Sequence, residues 1–164
     1  MTEDSIQIRE ATSGDISQVS SLIRMGFRGV AEKFGLTPEN CAKHPSNCTD
    51  NWIEDDLKRG VTYYILEHNS VPSGCVALER ADNGVCYLER LAVLPEKRRA
   101  GFGKALVHHV IAEARRLGAE RISIGIIANH TELKTWYKNM GFAETETREF
   151  ERLPFLVTYL NYTL

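Results

Sequence analysis

Apolar and polar residues alternate over Ile6-Gln7-Ile8-Arg9, the two-residue period of a strand. The period changes after a Ser-Gly pair. From Asp15 onward Ile16, Val19, Leu22, Ile23 and Phe27 recur at helical spacing. Residues 35–50 are rich in Pro, Asn and Cys and read as a loop. Thr49 or Asp50 then caps a short helix through Trp52, Ile53 and Leu57 that stops at Gly60. Val61–Leu66 is β-branched and aromatic, hence a strand. Pro72-Ser73-Gly74 predicts a turn before a strand over Cys75–Glu79, and Asp82-Asn83-Gly84 predicts a hairpin. A strand over Val85–Leu94 ends at Pro95.

The most regular pattern follows. Ala105, Leu106, Val110, Ile111, Ala114 and Leu117 keep helical spacing up to Gly118. Arg121–Ala128 is apolar enough for a buried strand. The intervening helix predicts that it runs parallel to the 85–94 strand. Thr131–Met140 is a second amphipathic helix closed by Gly141, and strands near 142–151 and 155–163 complete the chain. The order β α α β β β α β α β β predicts a mixed α/β fold. Its sheet is mostly antiparallel, with one βαβ unit and helices on both faces. With no repeat or linker in between, residues 1–164 read as one domain.

Composition narrows the function. The chain has 164 residues, with 20 Lys+Arg against 22 Asp+Glu, so it lacks the positive excess that holds nucleic acid. No apolar run approaches the roughly 18 residues of a membrane span. The acidic start Met1-Thr2-Glu3-Asp4 is unlike a secretory or transit signal, so a cytoplasmic location is expected. Cys41, Cys48, Cys75 and Cys86 are then free thiols. Cys41, His44 and Cys48 share a loop, but their spacing matches no common zinc pattern, and no metal is expected.

Chemistry concentrates at Arg98-Arg99-Ala100-Gly101-Phe102-Gly103-Lys104-Ala105. Two glycines stand at the mouth of a helix, where unpaired N–H groups and the positive dipole end favour an anion, and three basic residues flank them. This is a phosphate cradle. It is not a Walker loop, because Ala105 stands where a Ser or Thr would hold magnesium, nor a dinucleotide fingerprint, because Leu106 stands at the third glycine.

These residues match the Arg/Gln-x-x-Gly-x-Gly/Ala motif, and the chain resembles the GNAT superfamily of N-acetyltransferases. Leu91-Ala92-Val93-Leu94-Pro95 resembles the family's strand beside the acyl-CoA arm. Trp136-Tyr137-Lys138-Asn139-Met140-Gly141-Phe142 resembles its Tyr-x-x-x-Gly-Phe helix end. The resemblance implies acetyl-CoA as co-substrate and an amine as acceptor. It implies backbone N–H groups of Arg99 through Lys104 on the pyrophosphate, and pairing of Leu91 and Val93 with the pantetheine arm in a slot between splayed strands. It also implies Tyr137 as the acid that protonates the departing thiolate.

The chain departs from the family at several places. His130, with Asn129 next to it, stands where many members carry a CoA-contacting Asn, and Ala100 stands where Gly or a basic residue is common. Tyr87 stands where many members carry a basic Glu. Glu89, two residues on and facing the same way without a bulge, is the candidate base, with Glu79 as a second. Phe27, Phe34, His44 and Trp52 are available to line the acceptor site, and the final strands could offer an edge to a homodimer. The missing Glu also leaves open a binding module that senses acyl-CoA without turnover. The acceptor itself is not legible.

Overall fold

The computed structural model describes residues 4–164, so the start Met1–Glu3 lies outside the described residues. Seven strands form one sheet: β1 (Ile6–Glu10), β2 (Thr62–His68), β3 (Val71–Arg80), β4 (Val85–Val93), β5 (Arg121–Ile127), β6 (Ala143–Arg148) and β7 (Val157–Thr163). Their spatial order is β1-β2-β3-β4-β5-β7-β6. Four helices cover it: α1 (Ile16–Phe34), α2 (Asp50–Lys58), α3 (Phe102–Arg116) and α4 (Thr131–Asn139). All neighbouring strands are antiparallel except β4 and β5, the pair bridged by α3. The element order and fold class match the expectation from periodicity.

The strands sort their side chains by alternation. Tyr63, Ile65, Cys75 and Ala77 face the core under α1 and α2. Tyr64, Leu66, Val76 and Leu78 face the core under α3, joined there by Ile122, Ile124 and Ile126 of β5. Phe102, Leu106, Val110 and Ala114 form the buried stripe of α3. Among the described residues no helix is long and apolar enough to cross a membrane.

Several boundaries differ from the sequence reading. Helix α1 runs on to Phe34, because Ala31 continues its buried stripe. Pro72-Ser73-Gly74 lies inside β3; the turn is made earlier by Asn69 and Ser70, both with positive φ. Gly74 is needed there because a Cβ would stand 2.8 Å from the Ala92 carbonyl. Thr49 is the N-cap of α2 without a side-chain cap bond, and the Asp50 carboxylate instead binds Ser17 and Ser20 of α1. The last two strands are shorter than expected, leaving residues 149–156 as a loop. The hairpin at Asp82-Asn83-Gly84 forms as expected, with φ of 64° and 76° at Asn83 and Gly84.

Gly26 sets how closely α1 approaches β4. A Cβ there would lie 2.7 Å from the Cβ of Ala92. Gly26→Ala is therefore expected to destabilise the protein by about 1–3 kcal/mol, as overpacking does. Urea unfolding reads this as a lower midpoint at unchanged slope, and an unchanged midpoint would mean that α1 shifts freely.

Candidate active site

Strand β4 carries a bulge that decides which way its side chains point. Ala77 of β3 faces Glu89, and Cys75 faces Ala92, so two steps on β3 meet three on β4. Arg90 takes up the extra residue with φ of 51°. Leu88 before the bulge and Leu91 and Val93 after it all pack toward the α3 core. Glu89 and Arg90 are left for the other face.

The two halves of the sheet meet only briefly. Strands β4 and β5 pair from Val85 to Tyr87 against Arg121 to Ser123, and no further. Beyond that point β5 keeps its ladder with β7 along its whole length, while β4 keeps its ladder with β3. A gap opens between Leu88–Val93 and Ile124–Ile127. A cavity of about 900 Å³ occupies it, lined from one face by Leu91, Val93, Trp136 and Tyr137 and from the other by Phe27 and Glu89.

One mouth lies at the start of α3. Gly101 is the N-cap, with φ of 82° and no side-chain cap bond, and Arg99 before it has φ of 66°. The first-turn N–H groups are therefore uncapped by side chains, which suits a phosphate. Gly103 lies on the cavity wall, and a Cβ there would stand 3.3 Å from the Trp136 ring. Arg98 is held away from a free role. Its guanidinium donates to the Gly26 carbonyl at 2.7 Å and to the Val93 carbonyl at 3.3 Å, tying the loop to α1.

Tyr137 is buried, stacked edge-on against Trp136 at 4.9 Å and Phe142 at 5.2 Å. Burial raises its phenol pKa, so the proton stays on at neutral pH. Burial also raises the Glu89 carboxyl, and Glu79 on the neighbouring strand adds to it by like-charge repulsion. Both carboxylates line the cavity. A carboxylate pushed up in this way is a better proton acceptor near neutral pH.

Beneath Glu89 lies an ionic network that the sequence reading missed. Asp56 of α2 accepts from Tyr63 at 2.6 Å and pairs with Arg90 at 2.5 Å and Arg59 at 2.7 Å. Arg59 bridges on to Glu79 at 2.7 Å. Trp52 lies against the Arg90 guanidinium at 5.5 Å. These partners are up to 34 residues apart in the chain, so no local motif marks them.

The sequence-predicted site residues divide. Tyr137, Glu89, Leu91, Val93, Arg98, Gly103 and His130 line the cavity. Arg99, Ala100, Gly101 and Lys104 form the exposed rim at the α3 start, while Phe102 and Ala92 are buried behind it in the two cores. Ala105 is half-buried at the α3 core. Asn129 is exposed and off the wall, whereas His130 caps α4 and presents a buried Nδ1 without a hydrogen-bond partner among the described residues. Phe27 and His44 reach the cavity; Phe34 stacks on His130 at 5.4 Å behind it, and Trp52 serves the ionic network. Ser123 and Tyr159 also stand on the wall, and no local sequence pattern marks them.

Cys41 and Cys48 lie in different cores, and His44 instead hydrogen-bonds Ser46 at 2.7 Å. All four cysteines are free and buried. Burial pushes the Cys48 thiol up to about 11, far from a reactive thiolate.

Known proteins share this architecture. The PaiA N-acetyltransferase of Thermoplasma acidophilum, solved in complex with coenzyme A, superposes with a TM-score of 0.81. It is 15% identical, and the match covers 98% of this chain and 99% of that one, a likeness of fold. The N-acetylglutamate synthase of Neisseria gonorrhoeae, solved with coenzyme A and N-acetyl-glutamate, gives a TM-score of 0.70 at 25% identity, over 99% of this chain and 36% of that one. In sequence the chain is 29% identical over 150 residues to the amino-acid acetyltransferase of Neisseria meningitidis, covering 91% of this chain but only 29% of that protein. It is 25% identical to the N-acetyltransferase YjgM of Escherichia coli over 82% of this chain and 80% of that protein. The model of the Acetyltransferase (GNAT) family matches residues 31–142, more than half of the sequence, and the protein belongs to that family.

Proposed function

We propose that the protein is an acetyl-CoA-dependent N-acetyltransferase that moves the acetyl group to a primary amine by direct attack. The observation that carries this reading is the cavity in the β4–β5 gap. It has the α3 N-terminus at one mouth and carries Tyr137 and Glu89 on its walls. Coenzyme A in the solved relatives supports the donor. The uncapped amides at Arg99–Lys104 would hold the pyrophosphate, and the unpaired β4 edge at Leu91 and Val93 would hold the pantetheine arm.

The chemistry assigned to the chain is proton transfer and positioning. Glu89 takes the proton from the acceptor ammonium, so that the amine nitrogen can bond to the acetyl carbon. The C–S bond breaks, and Tyr137 gives its proton to the departing sulfur. The nitrogen passes its surplus proton to the phenolate so formed, and Glu89 releases its own proton to solvent. Holding the two reactants in one cavity supplies the rest, by orientation. No covalent enzyme intermediate is required, which agrees with four buried thiols.

The test is CoA release from acetyl-CoA, dependent on added amine, followed across pH. Glu89 acts as carboxylate, and its raised pKa moves the acid limb of kcat/KM to above the ordinary value of 4.5. Activity therefore falls as pH drops through that limb. Glu89→Gln should remove the limb and cost about a hundredfold, the low end for a general base because Glu79 stands beside it. An unchanged limb in Glu89→Gln would take the base role from Glu89. Absence of any thermal stabilisation by acetyl-CoA would sink the whole reading.

A further inference from the structure

The acceptor half of the cavity carries an uneven set of charges. Its walls come from α1, the segment before α2, strands β3 and β4, and the start of β7. Phe27, Val30, Phe155 and Val157 make them largely apolar. The His44 ring meets Phe27 edge-on at 5.7 Å, and burial lowers its pKa, so it is neutral at pH 7. Glu79, Glu89, Arg90 and Arg98 supply the formal charges.

Three of these four are committed. Arg98 is bound to the carbonyls of Gly26 and Val93 at the donor end. Arg90 is paired with Asp56 and donates to Tyr63 at 2.7 Å. Glu79 is paired with Arg59. Glu89 has neither ion pair nor hydrogen bond among the described residues, and the groups acting on it do so through space. The uncommitted charge of the cavity is thus a single carboxylate facing an apolar wall.

Resting on the acetyltransferase reading, we propose that the acceptor is a primary amine with an apolar body, carrying neither a carboxylate nor a second ammonium. The one ammonium is matched by Glu89. A carboxylate would enter beside Glu79 and Glu89 with no uncommitted cation among the described lining residues to receive it, and burying an unmatched charge is costly. A second ammonium would find only Glu79, which Arg59 already neutralises. The apolar body fills the space between α1 and β7.

Three amines of equal chain length test this: hexylamine, aminocaproate and hexamethylenediamine. Each is assayed with acetyl-CoA for CoA release, and with CoA alone for thermal stabilisation as a dead-end complex. Hexylamine is expected to lead both others by at least about tenfold in kcat/KM. Aminocaproate or the diamine equal to or better than hexylamine would overturn the inference, and acetyl transfer itself would stand. Stabilisation by hexylamine alone, with no turnover of any amine, would uphold the specificity and sink the transferase reading. No preference for hexylamine in either readout overturns the inference.

Discussion

Replacing Tyr137 by Phe is expected to lower kcat by about 10³-fold while acetyl-CoA still raises the melting temperature as in the wild type. A general acid in place contributes roughly 10²–10⁴-fold. The phenol oxygen is the only group lost. The ring keeps its edge-on contacts with Trp136 and Phe142, so the cavity wall stays in place. Phe is the right substitution for this reason. Ala would leave a hole at a side chain only 4% exposed, and about 3–5 kcal/mol of lost stability would mask the chemistry. Measured by thiol release at saturating donor, a kcat within twofold of wild type would take the acid role from Tyr137.

Replacing Asp56 by Ala is expected to cost about 3–5 kcal/mol of folding stability. Asp56 is 6% exposed and serves Tyr63, Arg90 and Arg59 at once. Its loss leaves the Arg90 guanidinium half-buried without its counter-charge. For a chain of this size that is a fall in melting temperature of roughly 10 °C. The pair Asp56→Leu with Arg90→Met should recover most of it, because both charges then leave together. Unfolding in urea and by heat reads both variants. A loss under about 1 kcal/mol in Asp56→Ala would mean that solvent already matches the charge of Arg90. Acetyl transfer should fall as well, since Arg90, which Asp56 holds in place, lines the cavity next to Glu89.

Much of the fold was legible because it is written locally. The helical spacing of Leu106, Val110, Ile111 and Ala114 and the alternation of Ile122, Ile124 and Ile126 are one-dimensional patterns, and each element formed where its period appears. The Asn83-Gly84 turn needs positive φ at two successive residues, a local demand that few residue types meet. Errors arose where a distant partner outweighed a local cue. Gly74 looks like a turn residue, but the approach of Ala92 puts it in a strand. Asp50 looks like a cap, but the serines of α1 take its carboxylate.

Element order, the glycine-flanked start of α3 and the Tyr137 helix end are readable from the chain alone, since each depends on residues within one or two turns of it. The rest arises from contacts between distant segments. The bulge at Arg90 depends on the register between β3 and β4, which no single strand encodes. The gap beyond Tyr87 depends on each of two strands keeping its other neighbour. Whether a carboxylate is committed depends on which cation reaches it through space. Glu79 and Glu89 look alike in sequence; Arg59 holds the first, and burial raises the second. Charge matching and desolvation act over distances in space, and the chain brings those residues together only by folding.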